Sequence, residues 1–104
     1  MRSARVLIHA QPTATLTELA PRRAYRLIYD EGYEGPPVSL ALPVRREPHE
    51  FTRFPAFFDG LLPEGPQLQG FLRSAKLDST DLFGQLMAVG ANLVGAVTIT
   101  EIRT

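Results

Sequence analysis

Phe57-Phe58-Asp59-Gly60-Leu61-Leu62-Pro63-Glu64-Gly65-Pro66 is where the chain changes its hydrophobic period. Phe57, Phe58, Leu61 and Leu62 recur at helical spacing, just after Pro55, a residue suited to the first turn of a helix. Pro63 and Gly65 end that element. Pro66 opens a second helix, in which Leu68, Phe71, Leu72 and Ala75 share one face. A third is predicted to begin near Asp78-Ser79-Thr80-Asp81, with Asp78 or Ser79 as its cap and Asp81 at the positive end of its dipole. Leu82, Phe83, Leu86 and Met87 form its apolar stripe, and Gly90 stands where a left-handed C-cap glycine belongs.

Upstream, the pattern has the period of strands. Arg5-Val6-Leu7-Ile8-His9-Ala10 is rich in β-branched and apolar residues, Gln11-Pro12-Thr13 turns the chain, and Ala14-Thr15-Leu16-Thr17-Glu18-Leu19 alternates. Together they predict a hairpin. Pro21 breaks the chain, Ala24-Tyr25-Arg26-Leu27-Ile28-Tyr29 reads as a third strand, and Asp30-Glu31-Gly32 is a turn signal. Val38-Ser39-Leu40-Ala41-Leu42 alternates again between Pro36, Pro37 and Pro43. Proline cannot donate to a sheet ladder, so this is expected to be a short edge strand. Residues 44–53 are strongly charged and read as a surface loop. Downstream of the helices, Val94-Gly95-Ala96-Val97-Thr98-Ile99-Thr100 returns to strand composition and is expected to pair back into the N-terminal sheet. Strands, then about three helices, then a closing strand define an α+β fold: a small antiparallel sheet packed with helices from the second half.

A chain of 104 residues is enough for one domain, 1–104, with one modest core. Apolar residues make up 44% and charged residues 21%, which argues against disorder. Formal net charge is zero, which removes the global electrostatic case for nucleic acid. Arg22, Arg23 and Arg26, and the adjoining Arg45 and Arg46, read as solvated charges. With no cysteine, thiolate catalysis and cysteine-ligated zinc are excluded, and a reducing cytoplasm is favoured. The sequence shows no signal-peptide run and no apolar stretch long enough for a membrane helix.

An active site is hard to assemble from these residues. His9 at a strand end reads as structural or surface, and His49 in the charged loop as solvated. Two histidines and no cysteine do not suit zinc. Asp59 and Glu64 are conceivable as a general acid–base pair, but Asp59 reads better as a carboxylate near a helix start and Glu64 as a turn residue. Gly90-Ala91-Asn92-Leu93-Val94-Gly95 spaces glycines like a P-loop yet lacks the Lys-Ser/Thr pair and precedes a strand. No His-Arg-Asp or Asp-Phe-Gly motif of a kinase is present. No residue set calls for a catalytic centre, a metal or a cofactor. What remains is contact surface. Phe51, Phe54, Phe57 and Phe58 are four of the six phenylalanines, and they stand beside Leu61, Leu62 and Pro63. Some must fill the core between helix and sheet; the rest are expected either to join that core or to form an exposed binding patch.

Four motifs in order, Val38-Ser39-Leu40-Ala41-Leu42-Pro43, Phe57 to Gly65, Asp81-Leu82-Phe83 and Val94-Gly95-Ala96-Val97, carry a family resemblance. From about Ala24 to Ile99 the chain resembles the N-terminal subdomain of HipA-type toxin kinases. In that family the subdomain packs on the N-lobe of a serine/threonine kinase that phosphorylates an aminoacyl-tRNA synthetase, and a helix-turn-helix protein commonly serves as antitoxin. Some operons of this kind, the tripartite HipBST systems, are split three ways: a short kinase lacks the subdomain, and a separate HipS-like protein supplies it and acts as the antitoxin. The chain looks like that small protein, beginning at Met1 and ending just past the last expected strand.

The resemblance implies a HipA-like (HipT-type) kinase as partner, with a HipB-like helix-turn-helix protein in a ternary complex. It implies no direct contact with nucleic acid or membrane. It also implies docking on the kinase N-lobe that blocks its active state. The expected contact is the turn Phe58, Asp59, Leu61, Leu62, Pro63, Glu64, Gly65 and Pro66, because a proline-stiffened loop loses little entropy on binding. Two other readings stand beside it: a structural subdomain of a longer kinase without inhibitory role, and a small enzyme with an unrecognised carboxylate site.

Overall fold

The computed structural model describes residues 1–63, 65–90, 93 and 95–102, with the side chains of Gly65, Pro66, Phe71, Ser74 and Ala75 left aside. Its elements are β1 (Arg2–Ile8), β2 (Gln11–Ala20), β3 (Ala24–Tyr29), β4 (His49–Phe51), α1 (Ala56–Asp59), α2 (Gly65–Ala75), α3 (Leu82–Val89) and β5 (Val97–Ile102). The strands form one antiparallel sheet in the order β4-β3-β2-β1-β5. The closing strand therefore pairs with the first, with Val6 opposite Ile99. The fold is the α+β arrangement expected from the sequence.

Alternation along the strands sorts the faces. Ala4, Val6 and Ile8 of β1, Ala14 and Leu16 of β2, Tyr25, Leu27 and Tyr29 of β3, and Ile99 of β5 are buried in one cluster with Phe58, Leu62, Phe83 and Leu86 from the helical half. The other face keeps Ser3, Arg5, Thr15, Thr17 and Arg26 half-exposed, crossed by Ser3–Thr17 and Arg5–Thr15 hydrogen bonds and an Arg5–Asp30 ion pair.

Several local expectations are corrected. The first hairpin turns at His9-Ala10, with φ of 49° and 66°, and not at Gln11-Pro12-Thr13, which belongs to β2. Positive φ at both central residues matches the right-handed twist of the flanking strands, so geometry overrides the turn composition of Gln-Pro-Thr. Val38–Leu42 is not a sheet strand. Ser39 bridges only to Leu42, and the segment is a tight turn whose ends, Val38 and Leu42, are buried. The edge strand comes instead from the charged segment, as β4 paired to β3 through Tyr25–Phe51 and Leu27–His49. His49 is consequently buried, with Nε2 2.8 Å from the Pro43 carbonyl and its ring edge-on to Tyr29.

In the helical half, α1 is a single turn with Pro55 at its N-cap. Gly65 belongs to α2 rather than to the end of the preceding element. The N-cap of α3 is Asp81, which accepts from the Gly84 amide at 3.1 Å. Asp78 is already engaged by the amide and hydroxyl of Thr80. Gly90 is right-handed, φ −51°, so it is not a left-handed cap. That conformation falls on Lys76, φ 57°, after α2, where the Leu77 amide reaches back to the Leu72 carbonyl at 3.0 Å in a Schellman pattern. Val94, the expected first residue of the closing strand, lies outside the described residues, and β5 begins at Val97.

Candidate partner-binding surface

The turn after α1 is built by a run of backbone bonds that tighten the end of a one-turn helix. Gly60 donates to Ala56, Leu61 to Phe58 and Leu62 to Asp59, at 3.0–3.1 Å. This winding puts Phe58 and Leu62, four residues apart, on the same inward side. Phe58 is fully buried and Leu62 nearly so, both in the main core. Asp59 and Gly60 are exposed, and Leu61 and Pro63 are half-buried. Of the residues expected to meet a partner, Phe58 and Leu62 are thus core residues that position the turn, and Asp59, Leu61 and Pro63 are its accessible part. Glu64 lies outside the described residues, as do the side chains of Gly65 and Pro66; the backbone of the last two opens α2. The aromatic group divides as its size requires: Phe58 is wholly buried, while Phe51, Phe54 and Phe57 pack partly exposed against the core. Phe57 meets Phe58 edge-on at 5.2 Å, and Phe54 meets Tyr25 at 5.4 Å.

A charged staple joins β1, β2 and the start of α3, which the separate sequence motifs did not bring together. The Arg2 guanidinium donates to Glu18 from Nε and Nη2, at 3.0 and 2.8 Å, and to Asp81 from Nη1 and Nη2, at 3.1 and 2.7 Å. It also lies 5.2 Å from the centre of the Phe83 ring. The hydrogen bonds from Arg2 hold the Asp81 carboxyl below the usual range against opposing desolvation, and the same bonds push the Arg2 pKa up. Asp81 therefore caps α3 and tethers it to β1 and β2 at once. The signal in the sequence was Glu18, a carboxylate on the inward period of Ala14 and Leu16, which demands a buried cation. Gln85, also buried, donates to the carbonyls of Asp78 and Ser79 and fixes the approach to α3.

Among the described residues no group of three or more His, Asp or Glu is placed to hold a metal ion, and no helix is long and apolar enough to cross a membrane. His9 is exposed at the hairpin tip, and His49 is on the opposite sheet edge from β5, bonded to a backbone carbonyl.

An α+β domain with a structural charge cluster is what the geometry defines, and comparison with known proteins places it. A family model described as the HipA N-terminal domain matches residues 4–100. The chain belongs to the HipA N-terminal domain family. That domain is the N-terminal subdomain of HipA and not its catalytic kinase domain. An uncharacterized protein of Haemophilus influenzae is 33% identical over 102 residues, covering 97% of this chain and 93% of the relative. A putative kinase of Sinorhizobium fredii, Y4dM, is 33% identical over 106 residues, covering 90% of this chain; the match spans only 25% of the kinase. Among solved structures, the N-terminal domain of HipA toxin superposes with a TM-score of 0.77 at 25% identity, covering all of this chain and 95% of that one.

Proposed function

We propose that this protein is an antitoxin that binds a HipA-like serine/threonine kinase and neutralises it by docking on the kinase N-lobe. The observation that carries the reading is the pairing of two relatives. The same domain makes up a quarter of a putative kinase and nearly the whole of a protein of similar length. A domain that is fused in one protein and separate in another retains a surface shaped for the missing remainder. Supplied in trans, it occupies that place stoichiometrically and holds the kinase in an inactive pose, in a ternary complex with a HipB-like helix-turn-helix protein. Exposed Asp59 and half-buried Leu61 and Pro63 are the proposed contact, presented on a turn whose core anchors, Phe58 and Leu62, are already ordered before binding.

The test is co-expression with a HipA-like kinase, sought first in the neighbouring open reading frames, reading growth and co-purification. A kinase that is toxic alone and harmless in a copurifying complex supports the reading. A kinase that binds the chain and stays equally toxic favours the second reading, a structural subdomain without inhibitory role. Leu61→Asp and Asp59→Arg probe the contact. Leu62→Asp does not, since it puts a charge into the core. If both surface variants fold and still neutralise, the turn is not the contact.

A further inference from the structure

Leu40 is 95% exposed, the most exposed large apolar side chain among the described residues. A single exposed leucine is ordinary, but the way this one is held is not. The Tyr29 hydroxyl donates to the Leu42 carbonyl and accepts from the Val38 amide at 2.9 Å, so one buried hydroxyl clamps both ends of the turn. Ser39 Oγ accepts from the Ala41 amide at 3.2 Å. Leu40 is thereby fixed at the tip of a rigid projection.

Tyr29 also forms a wall of a groove of about 550 Å³. Its apolar lining includes Ile28 and Val44, 40% and 36% exposed. Val44 follows the turn by two residues, so projection and groove adjoin. Glu31, Glu34, Arg45 and Arg46 also line it. Arg45 donates from Nε and Nη2 to the carbonyls of Glu47 and Pro48. Among the described residues Glu31, Glu34 and Arg46 make no ion pair. The groove thus carries uncompensated charge of both signs around an apolar floor. An occupant bearing only one sign satisfies half of it. A second copy of this chain, related by a two-fold axis, brings its acids to these arginines and its arginines to these acids, with each Leu40 directed into the opposite groove.

We propose that this face, Leu40 with the Ile28–Val44 groove, is an isologous homodimer interface, independent of the kinase-binding reading and on a different surface from the Asp59–Pro63 turn. The apolar contact is small, so association is weak, with Kd on the order of 100 µM. The experiment is sedimentation equilibrium of the intact chain over a concentration series, with circular dichroism to verify folding of each variant. A reversible monomer–dimer equilibrium is expected. L40D weakens it by about tenfold or more, as do R46E and E31R/E34R separately. An equimolar mixture of R46E with E31R/E34R regains the dimer, because the two-fold places only opposite charges together in the heterodimer. A wild-type chain that stays monomeric to about 1 mM overturns the proposal. So does a dimer indifferent to L40D, or a mixture that fails to complement. Loss of kinase capture on L40D with a monomeric wild type assigns the face to the heterologous partner and also overturns it.

Discussion

Gly90 lies against the main chain of Ile99 so closely that a Cβ placed on it would run into the Ile99 carbonyl oxygen and Cβ. Helix α3 and the edge strand β5 meet here without side-chain spacing. The need for glycine is close approach, since its backbone is right-handed. Gly90→Ala gains helix propensity but forces strand and helix apart, and the steric effect wins because the obstacle is backbone. The expected loss is about 2 kcal/mol, a fall in Tm of roughly 10 °C, read by thermal denaturation.

Arg2→Ala strips two carboxylates of their cation and leaves Glu18, only 4% exposed, without its principal partner. Loss of a fully buried partner costs several kcal/mol; with Arg2 more than a third exposed, water compensates in part, and about 2–3 kcal/mol is expected. Arg26→Ala breaks an exposed pair with Glu50 and should cost under about 1 kcal/mol. Equal losses in the two variants, measured by urea denaturation, would contradict this ranking.

The same cluster sets acid sensitivity. Asp81 has a folded-state pKa below its unfolded value, through the Arg2 hydrogen bonds first. Its contribution is therefore fully present above the ordinary carboxylate range and disappears as pH falls below about 4 towards the depressed folded value. Stability of the wild type measured from pH 6 downward should decline through that region. In Arg2→Ala the Asp81 part of the decline should be shallower.

The fold was legible where periodicity and burial agree. Ala24–Tyr29 was bounded correctly because its aromatic and β-branched residues alternate into the core; the closing strand was legible in kind and partner because it has an open β1 edge to join, although it runs from Val97 to Ile102 rather than over 94–100. What was hidden depends on contacts distant in sequence. Val38–Leu42 alternates like a strand, yet its ends are claimed by the Tyr29 hydroxyl. His49–Phe51 looks like loop until β3 offers it an edge. Of the expected contact turn, the residue types were visible in advance, but which of Phe58, Asp59, Leu61 and Leu62 face inward follows from a helix that stops after one turn.

Four non-glycine residues sit in left-handed backbone where the chain must turn: His9 and Ala10 in the first hairpin, Arg22 between β2 and β3, and Lys76 after α2. Ala10→Gly and Lys76→Gly each relieve that conformation at an exposed site. After subtracting the extra freedom of glycine in the unfolded chain, each should stabilise by about 0.5–1 kcal/mol. A neutral or lower Tm for both would mean that side-chain contacts, not backbone strain, decide these turns.

Tyr29→Phe keeps the ring stacked on Tyr33 at 5.9 Å and removes only the hydroxyl. The Val38 amide and the Leu42 carbonyl, at the buried ends of the Leu40 turn, then lose their shared partner. An unmet buried donor and acceptor cost about 1–3 kcal/mol, less whatever water enters the gap. Burial raises the Tyr29 pKa, because the neutral hydroxyl is the form the site accommodates. The folded state therefore opposes ionisation: stability should be level below pH of about 10 and fall as pH rises beyond it. Tyr25, raised by burial in the same way, contributes to that alkaline fall in both proteins. The diagnostic is the difference between wild type and Tyr29→Phe, which should shrink above that pH. A difference that stays constant to high pH would show that the hydroxyl is not what holds the turn.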